Sequence, residues 1–154
     1  NFKTMKTAYF SLGCFWSPQL EFEKIKGVKK AEVGYCGGDD SNTTYEKVCS
    51  GSTNHAETVK VEFDENIVSY EELVRVFFKI HDPTQLNRQG PDIGTQYRSE
   101  IFYKDDDQKK VAVKIKSEIN EKFKGKIVTN ISKEKLYQAA EDYHQYYLKK
   151  KSII

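Results

Sequence analysis

The sequence predicts an α+β fold, a mixed sheet flanked by helices, and three observations carry that prediction. Residues 56–63 alternate, with Val59, Val61 and Phe63 on one face and Thr58, Lys60 and Glu62 on the other, as in a half-buried strand. Two later stretches have helical spacing instead: Tyr70, Leu73, Val74, Phe77 and Phe78, and then Val111, Ile115, Ile119 and Phe123. Strand and helix signals mix along the chain without regular strand–helix–strand alternation, which argues against a doubly wound parallel sheet.

In chain order, residues 7–12 read as a strand running into Gly13-Cys14. A helix follows over residues 14–26, with Pro18 in the first turn, where a missing N–H is tolerated, and Gly27 as its stop. Residues 28–35 form a second strand closed by Gly37-Gly38, and 56–63 a third. Ser69-Tyr70-Glu71-Glu72 matches a capping box and opens a helix to about residue 80. The polar stretch 81–96 holds Pro83, Gly90, Pro91 and Gly94, and a loop of that length is often functional. A strand over 98–103 leads to Asp105-Asp106-Asp107, acids suited to the positive end of a helix. A short strand at 127–131 and a closing helix over 139–150 complete the reading.

Composition bounds the function. At 154 residues, the whole of 1–154 reads as one domain, with 1–4 a leftover ahead of Met5 as the natural start. The net charge of +2 (25 minus 23) is too small for a nucleic-acid binder. No apolar run approaches the roughly 20 residues of a membrane span. No signal segment is visible, and three cysteines cannot form a closed disulfide framework, so a reducing, cytoplasmic compartment is the default.

Cys14 stands where a strand hands over to a helix, and backbone N–H groups and the helix dipole there favour a reactive thiolate. A small buried cysteine is the plainer alternative. Phe15-Trp16 directly after it can wall an apolar pocket. Glu57, in His55-Ala56-Glu57-Thr58, is a general acid if its pocket is apolar and a solvated edge carboxylate if not. Tyr45 and Tyr97 are candidate phenolic donors, and Asp92 lies in the long loop. His55, His81 and His144 match no closed zinc spacing, so no metal is expected. Lys149-Lys150-Lys151 reads as a complement to a helix C-terminus.

Taken as an ordered set, these segments resemble the class A peptide methionine sulfoxide reductases. The matching stretches are Gly13-Cys14-Phe15-Trp16, Gly34-Tyr35-Cys36-Gly37-Gly38, Tyr45-Glu46-Lys47-Val48-Cys49-Ser50-Gly51, His55-Ala56-Glu57, His81-Asp82-Pro83-Thr84-Gln85, the run from Arg88-Gln89-Gly90 to Tyr97-Arg98-Ser99, and Ala140-Glu141-Asp142-Tyr143-His144-Gln145. The resemblance spans residues 7–150. It implies an α/β roll with a ferredoxin-like core and reduction of methionine-S-sulfoxide, free or in proteins, with no bound cofactor. By position, Cys14 is the implied nucleophile and Glu57 the implied acid, with Tyr45 and Tyr97 as helper donors. Phe15 and Trp16 are the implied methyl cage, and Asp92 and Tyr147 the implied substrate-binding positions. Most members recycle through a cysteine in a Gly-rich tail. This chain ends Leu148-Lys149-Lys150-Lys151-Ser152-Ile153-Ile154, which leaves a Cys14 sulfenic acid to Cys36, Cys49 or, as favoured here, an external thiol: thioredoxin, or glutathione with glutaredoxin. Some such members carry selenocysteine at the nucleophile, so residue 14 is a candidate selenocysteine position that an in-frame UGA would reveal. Two other readings are open: a thiol peroxidase built on Cys14, and a module that binds oxidised methionine without turnover.

Overall fold

The structure, a computed structural model, describes residues 4–152. Residues 1–3, part of the expected leftover, lie outside the described residues. The chain opens with strand β1 (Met5–Leu12), helix α1 (Trp16–Glu23), strand β2 (Val28–Cys36), the short helix α2 (Tyr45–Cys49), strand β3 (Ala56–Asp64) and helix α3 (Tyr70–Lys79). Next come a two-strand hairpin, β4 (Arg88–Gln89) and β5 (Asp92–Ile93), strand β6 (Ser99–Tyr103) and helix α4 (Asp106–Lys122). Strands β7 (Asn130–Lys133) and β8 (Gln138–Ala139) and helix α5 (Tyr147–Ser152) end it.

The main sheet has the order β7-β6-β1-β3-β2-β8. Its neighbours pair antiparallel except β6 and β7, which run parallel, so the sheet is mixed as predicted. The order β6-β1-β3-β2, threaded through α1 and α3, is the β-α-β-β-α-β arrangement of a ferredoxin-like core. One face of β3 drives its packing: Val59, Val61 and Phe63 are fully or almost fully buried with Phe10, Phe22, Leu73 and Phe77. Ser69 caps α3 by accepting from the Glu72 N–H, and Asp105 caps α4 by accepting from the Gln108 N–H, as their sequence signals require.

Several boundaries differ from the sequence reading. Helix α1 stops at Glu23, well before Gly27. Gly27 instead turns the chain into β2 at φ +101°, where a Cβ would sit 2.8 Å from Val68. The long loop carries the β4–β5 hairpin and a 3₁₀ turn at Thr95–Tyr97, and β7 begins at Asn130 rather than at 127. The closing helix expected over 139–150 does not form. Gln138 and Ala139 pair with β2, the Ala140 N–H donates to Val33 O, and Tyr146 sits at φ +56°, so the segment holds only a 3₁₀ turn at Asp142–His144 and the short helix from Tyr147. Pairing to an open sheet edge satisfies this backbone where a helix would leave β2 uncovered.

Candidate active site

The chain turns from β1 into α1 at Gly13, at φ +99°, where a Cβ would come within 2.8 Å of Gln89. Only glycine fits that close approach, and it puts Cys14 at the head of α1, half-buried. On β3, Glu57 is in phase with Val59, Val61 and Phe63, and it faces Tyr35 of β2 across the ladder. Its side chain therefore points into the protein, and the residue is 2% exposed. Glu57 Oε1 accepts from the Phe15 N–H at 3.2 Å, while Oε2 has no hydrogen-bond partner among the described residues. Burial pushes this carboxyl up to about 8; the Phe15 N–H opposes the shift and the Asp92 charge adds to it. A shift in that direction favours the protonated carboxyl at neutral pH.

Burial also pushes the Cys14 thiol up to about 12, the Trp16 N–H pulls it back, and charge on Glu57 and Asp92 adds to the rise. In the resting chain, desolvation thus outweighs the helix-start effect that favours a thiolate. A cleft of about 220 Å³ opens beside Cys14, with Leu12, Pro18, Ile80, Gln89 and Asp92 in its wall.

Phe15 is 1% exposed and Trp16 is half-buried beside it. Trp16 is fixed on two sides. Its Nε1–H donates to His144 Nδ1 at 3.1 Å, and Tyr147 stacks on its ring at 3.9 Å and 15°. Indole is a donor only, so a neutral His144 carries its proton on Nε2. The His144 ring packs against Phe15, Tyr45 and Tyr143 and is 2% exposed. The Tyr45 N–H and the Tyr35 hydroxyl both donate to the Glu141 carboxylate, at 3.0 and 2.8 Å. Burial raises both the Tyr45 and Tyr97 phenols, Tyr97 to about 12, so each keeps its O–H. Cys49 lies one turn along α2 from Tyr45.

Cys14, Phe15, Trp16 and Glu57 thus gather at one end of the sheet. Glu57, Asp92 and Cys14 all act electrostatically on Tyr97, and Asp92 lines the cleft side of Cys14. Tyr147 meets the Trp16 ring. Cys36 is fully buried, its thiol donating to Lys135 O at 3.5 Å. The histidines serve separate places: His55 accepts from the Gly38 N–H and donates to Asp40 O, while His81 donates to Phe77 O and accepts from Ser99. Sequence reasoning quoted His144 and Glu141 inside motifs but gave neither a part at this site, and it weighed Cys49 only as a thiol that could resolve Cys14. Their contacts reach across as many as 128 positions, and no local signal carries that.

The sequence model of the family described as "Peptide methionine sulfoxide reductase" matches residues 6–153. A protein of Pelagibacter ubique named peptide methionine sulfoxide reductase MsrA is 55% identical over 147 residues, which is 96% of this chain and all of that one. The reduced form of Mxr1 from Saccharomyces cerevisiae superposes with a TM-score of 0.94 at 38% identity, covering 99% of this chain and 88% of that one. Mxr1 in complex with Trx2 aligns with a TM-score of 0.69 at 26% identity, covering 96% and 87%.

Proposed function

The chain belongs to the peptide methionine sulfoxide reductase family, and on that footing we propose that Cys14 reduces methionine-S-sulfoxide, free or within proteins, to methionine. The observation that carries this is a carboxyl kept neutral by burial, held by the Phe15 N–H beside Cys14 and the aromatic wall. A sulfoxide oxygen leaves poorly unless it gains a proton. The Glu57 O–H hydrogen-bonds that oxygen and donates to it, with the Tyr45 and Tyr97 phenols as further donors. The Cys14 sulfur attacks the sulfoxide sulfur, the thiol proton replaces the one Glu57 gave, and the oxygen ends on Cys14. The balance is thiol plus sulfoxide to sulfenic acid plus methionine. Phe15 and Trp16 enclose the terminal methyl, and Asp92 and Tyr147 bound the substrate.

An external thiol then returns Cys14 to its starting state. Thioredoxin is one such partner, in keeping with the Mxr1–Trx2 complex, and glutathione with glutaredoxin is another. Residues 1–154 act as a single catalytic unit in a reducing, cytoplasmic setting. The test is single turnover on separated R and S sulfoxides without external thiol. The chain yields about one methionine per molecule from the S epimer, and Cys14→Ser yields none. Substantial methionine from Cys14→Ser, or equal use of the R epimer, would overturn the reading.

A further inference from the structure

Arg98 stands between the 3₁₀ turn Thr95–Tyr97 and strand β6, half-buried. Each nitrogen of its guanidinium has a separate partner. Nε donates to Glu100 Oε1 at 2.6 Å, Nη1 to Thr95 O at 3.0 Å and Nη2 to Asn54 O at 3.1 Å. Glu100 is 6% exposed, and its other oxygen accepts from the Ser132 hydroxyl, so the guanidinium rests on a charge that is itself fixed. A Cβ on Gly37 would stand 3.1 Å from Nη2, which puts the end of β2 against the same group. One planar fork therefore joins β6, the turn ahead of it and the residue two before β3.

The joined segments carry two of the proton donors. Tyr97 ends the turn, and Glu57 follows Asn54 by three residues. Ser99 pairs with Leu12, so the turn lies beside the β1–α1 turn that presents Cys14. The Tyr97 phenol feels the charge of Glu57, Asp92 and Cys14. The two segments are not held equally. Strand β3 is laddered to β1 on one side and β2 on the other, and the Phe15 N–H fixes the Glu57 carboxyl. The Thr95–Tyr97 turn belongs to no ladder. Its backbone hydrogen bonds close on itself, Tyr97 N–H to Gly94 O and Arg98 N–H to Thr95 O, and Gln96 Nε2 adds a long bond of 3.5 Å to Cys49 O.

We propose that Arg98 is a positioning residue for the reduction: its guanidinium ties the Tyr97 turn to the head of β3 and so aims the Tyr97 phenol at the sulfoxide oxygen that Glu57 protonates. The inference rests on the reading above, in which Tyr97 is a donor to that oxygen. Arg98 acts through Tyr97 and touches no reacting atom. Lysine at this position keeps the charge opposite Glu100 but has no planar fork to span both carbonyls, so the turn loses its tie while the ion pair remains.

The test is the rapid-quench rate of methionine formation in single turnover at saturating methionine-S-sulfoxide, without external thiol. Arg98→Lys is expected to lower that rate about tenfold to a hundredfold, the scale of a misplaced catalytic group, with the half-saturating sulfoxide concentration little changed. Tyr97→Phe slows the step as well. Adding Arg98→Lys to Tyr97→Phe then costs at most about a further twofold, because no phenol is left to aim. Glu100→Gln keeps an acceptor for Arg98 Nε and removes the charge that anchors it. It gives the same pattern at smaller size, and it decides the matter where circular dichroism shows Arg98→Lys unfolded. Losses that multiply in the double variant assign Arg98 to the fold at large and overturn the proposal. So does an unchanged rate in Arg98→Lys or in Tyr97→Phe. In each of these cases methionine from the unmodified chain leaves the reductase reading standing, whereas no methionine from that chain overturns both.

Discussion

Glu57 is a carboxyl on a face that otherwise holds Val59, Val61 and Phe63, and that phase was readable from the alternation alone. What could not be read is what surrounds it, because the Phe15 N–H arrives from 42 positions away. Glu57→Gln keeps the volume and an oxygen for that N–H but has no proton to give. It is expected to slow methionine formation by about 10²–10⁴, the usual scale of general acid catalysis, read by rapid-quench single turnover. An unchanged rate removes Glu57 from the chemistry. The same substitution reports on Cys14. Removing a neighbouring negative charge favours the thiolate, so the pH midpoint for iodoacetamide alkylation of Cys14, mapped by peptide, moves down from about 12. It stays above the ordinary thiol range, because burial is the larger cause of the rise and Gln removes only the charge. A midpoint at the ordinary value would mean that Glu57, not burial, governs the thiol.

At the scale of elements, the strands β1, β2 and β3 and helices α3 and α4 follow from local patterns: alternation, Ser69 and Asp105 as caps, and apolar residues at helical spacing. The segment after β8 did not, since its conformation is imposed by distant partners. Gln145 behaves as a strand residue made from a side chain. Its Oε1 accepts from the Val33 N–H, and its Nε2 donates to Val33 O and Ala140 O. Gln19 links to it, donating to Gln145 Oε1 and accepting from the Tyr146 N–H. No 3.6-residue count foresees that a glutamine will pair with a β-strand edge. This clamp is also what delivers His144 and Tyr147 to Trp16. Gln145→Ala strips partners from the buried Val33 backbone and is expected to cost about 1–3 kcal/mol in urea unfolding. Because it also frees the Trp16 wall, KM for the sulfoxide rises while kcat changes less. A stability loss with KM unmoved would confine Gln145 to holding the fold.

For the whole molecule, the site is a local breach of the rule that buries only apolar or paired groups, and the rest of the core must outweigh it. Its cost depends on pH with a defined sign. The Glu57 carboxyl is raised from 4.5 to about 8 on folding, so the folded chain holds a proton that the unfolded chain releases over that window. The stability tied to this group is full below about 4.5 and is lost as pH rises toward about 8, where the buried carboxyl must ionise. His81 works at the other end. Burial lowers it to about 4, so its share is present above 6.5 and lost as pH falls toward 4. Glu57→Gln isolates the first effect, because Gln is neutral at every pH. Relative to the unmodified chain, the variant gains stability between pH 5 and pH 9, on the order of 4 kcal/mol, which for a chain of this size is roughly 10 °C in Tm. Urea unfolding at the two pH values measures it, with the His81 contribution cancelling in the difference between the two proteins. A difference independent of pH would mean that the Glu57 carboxyl is ionised in the folded chain at neutral pH. The acid step would then require the substrate itself to expel water and raise this group.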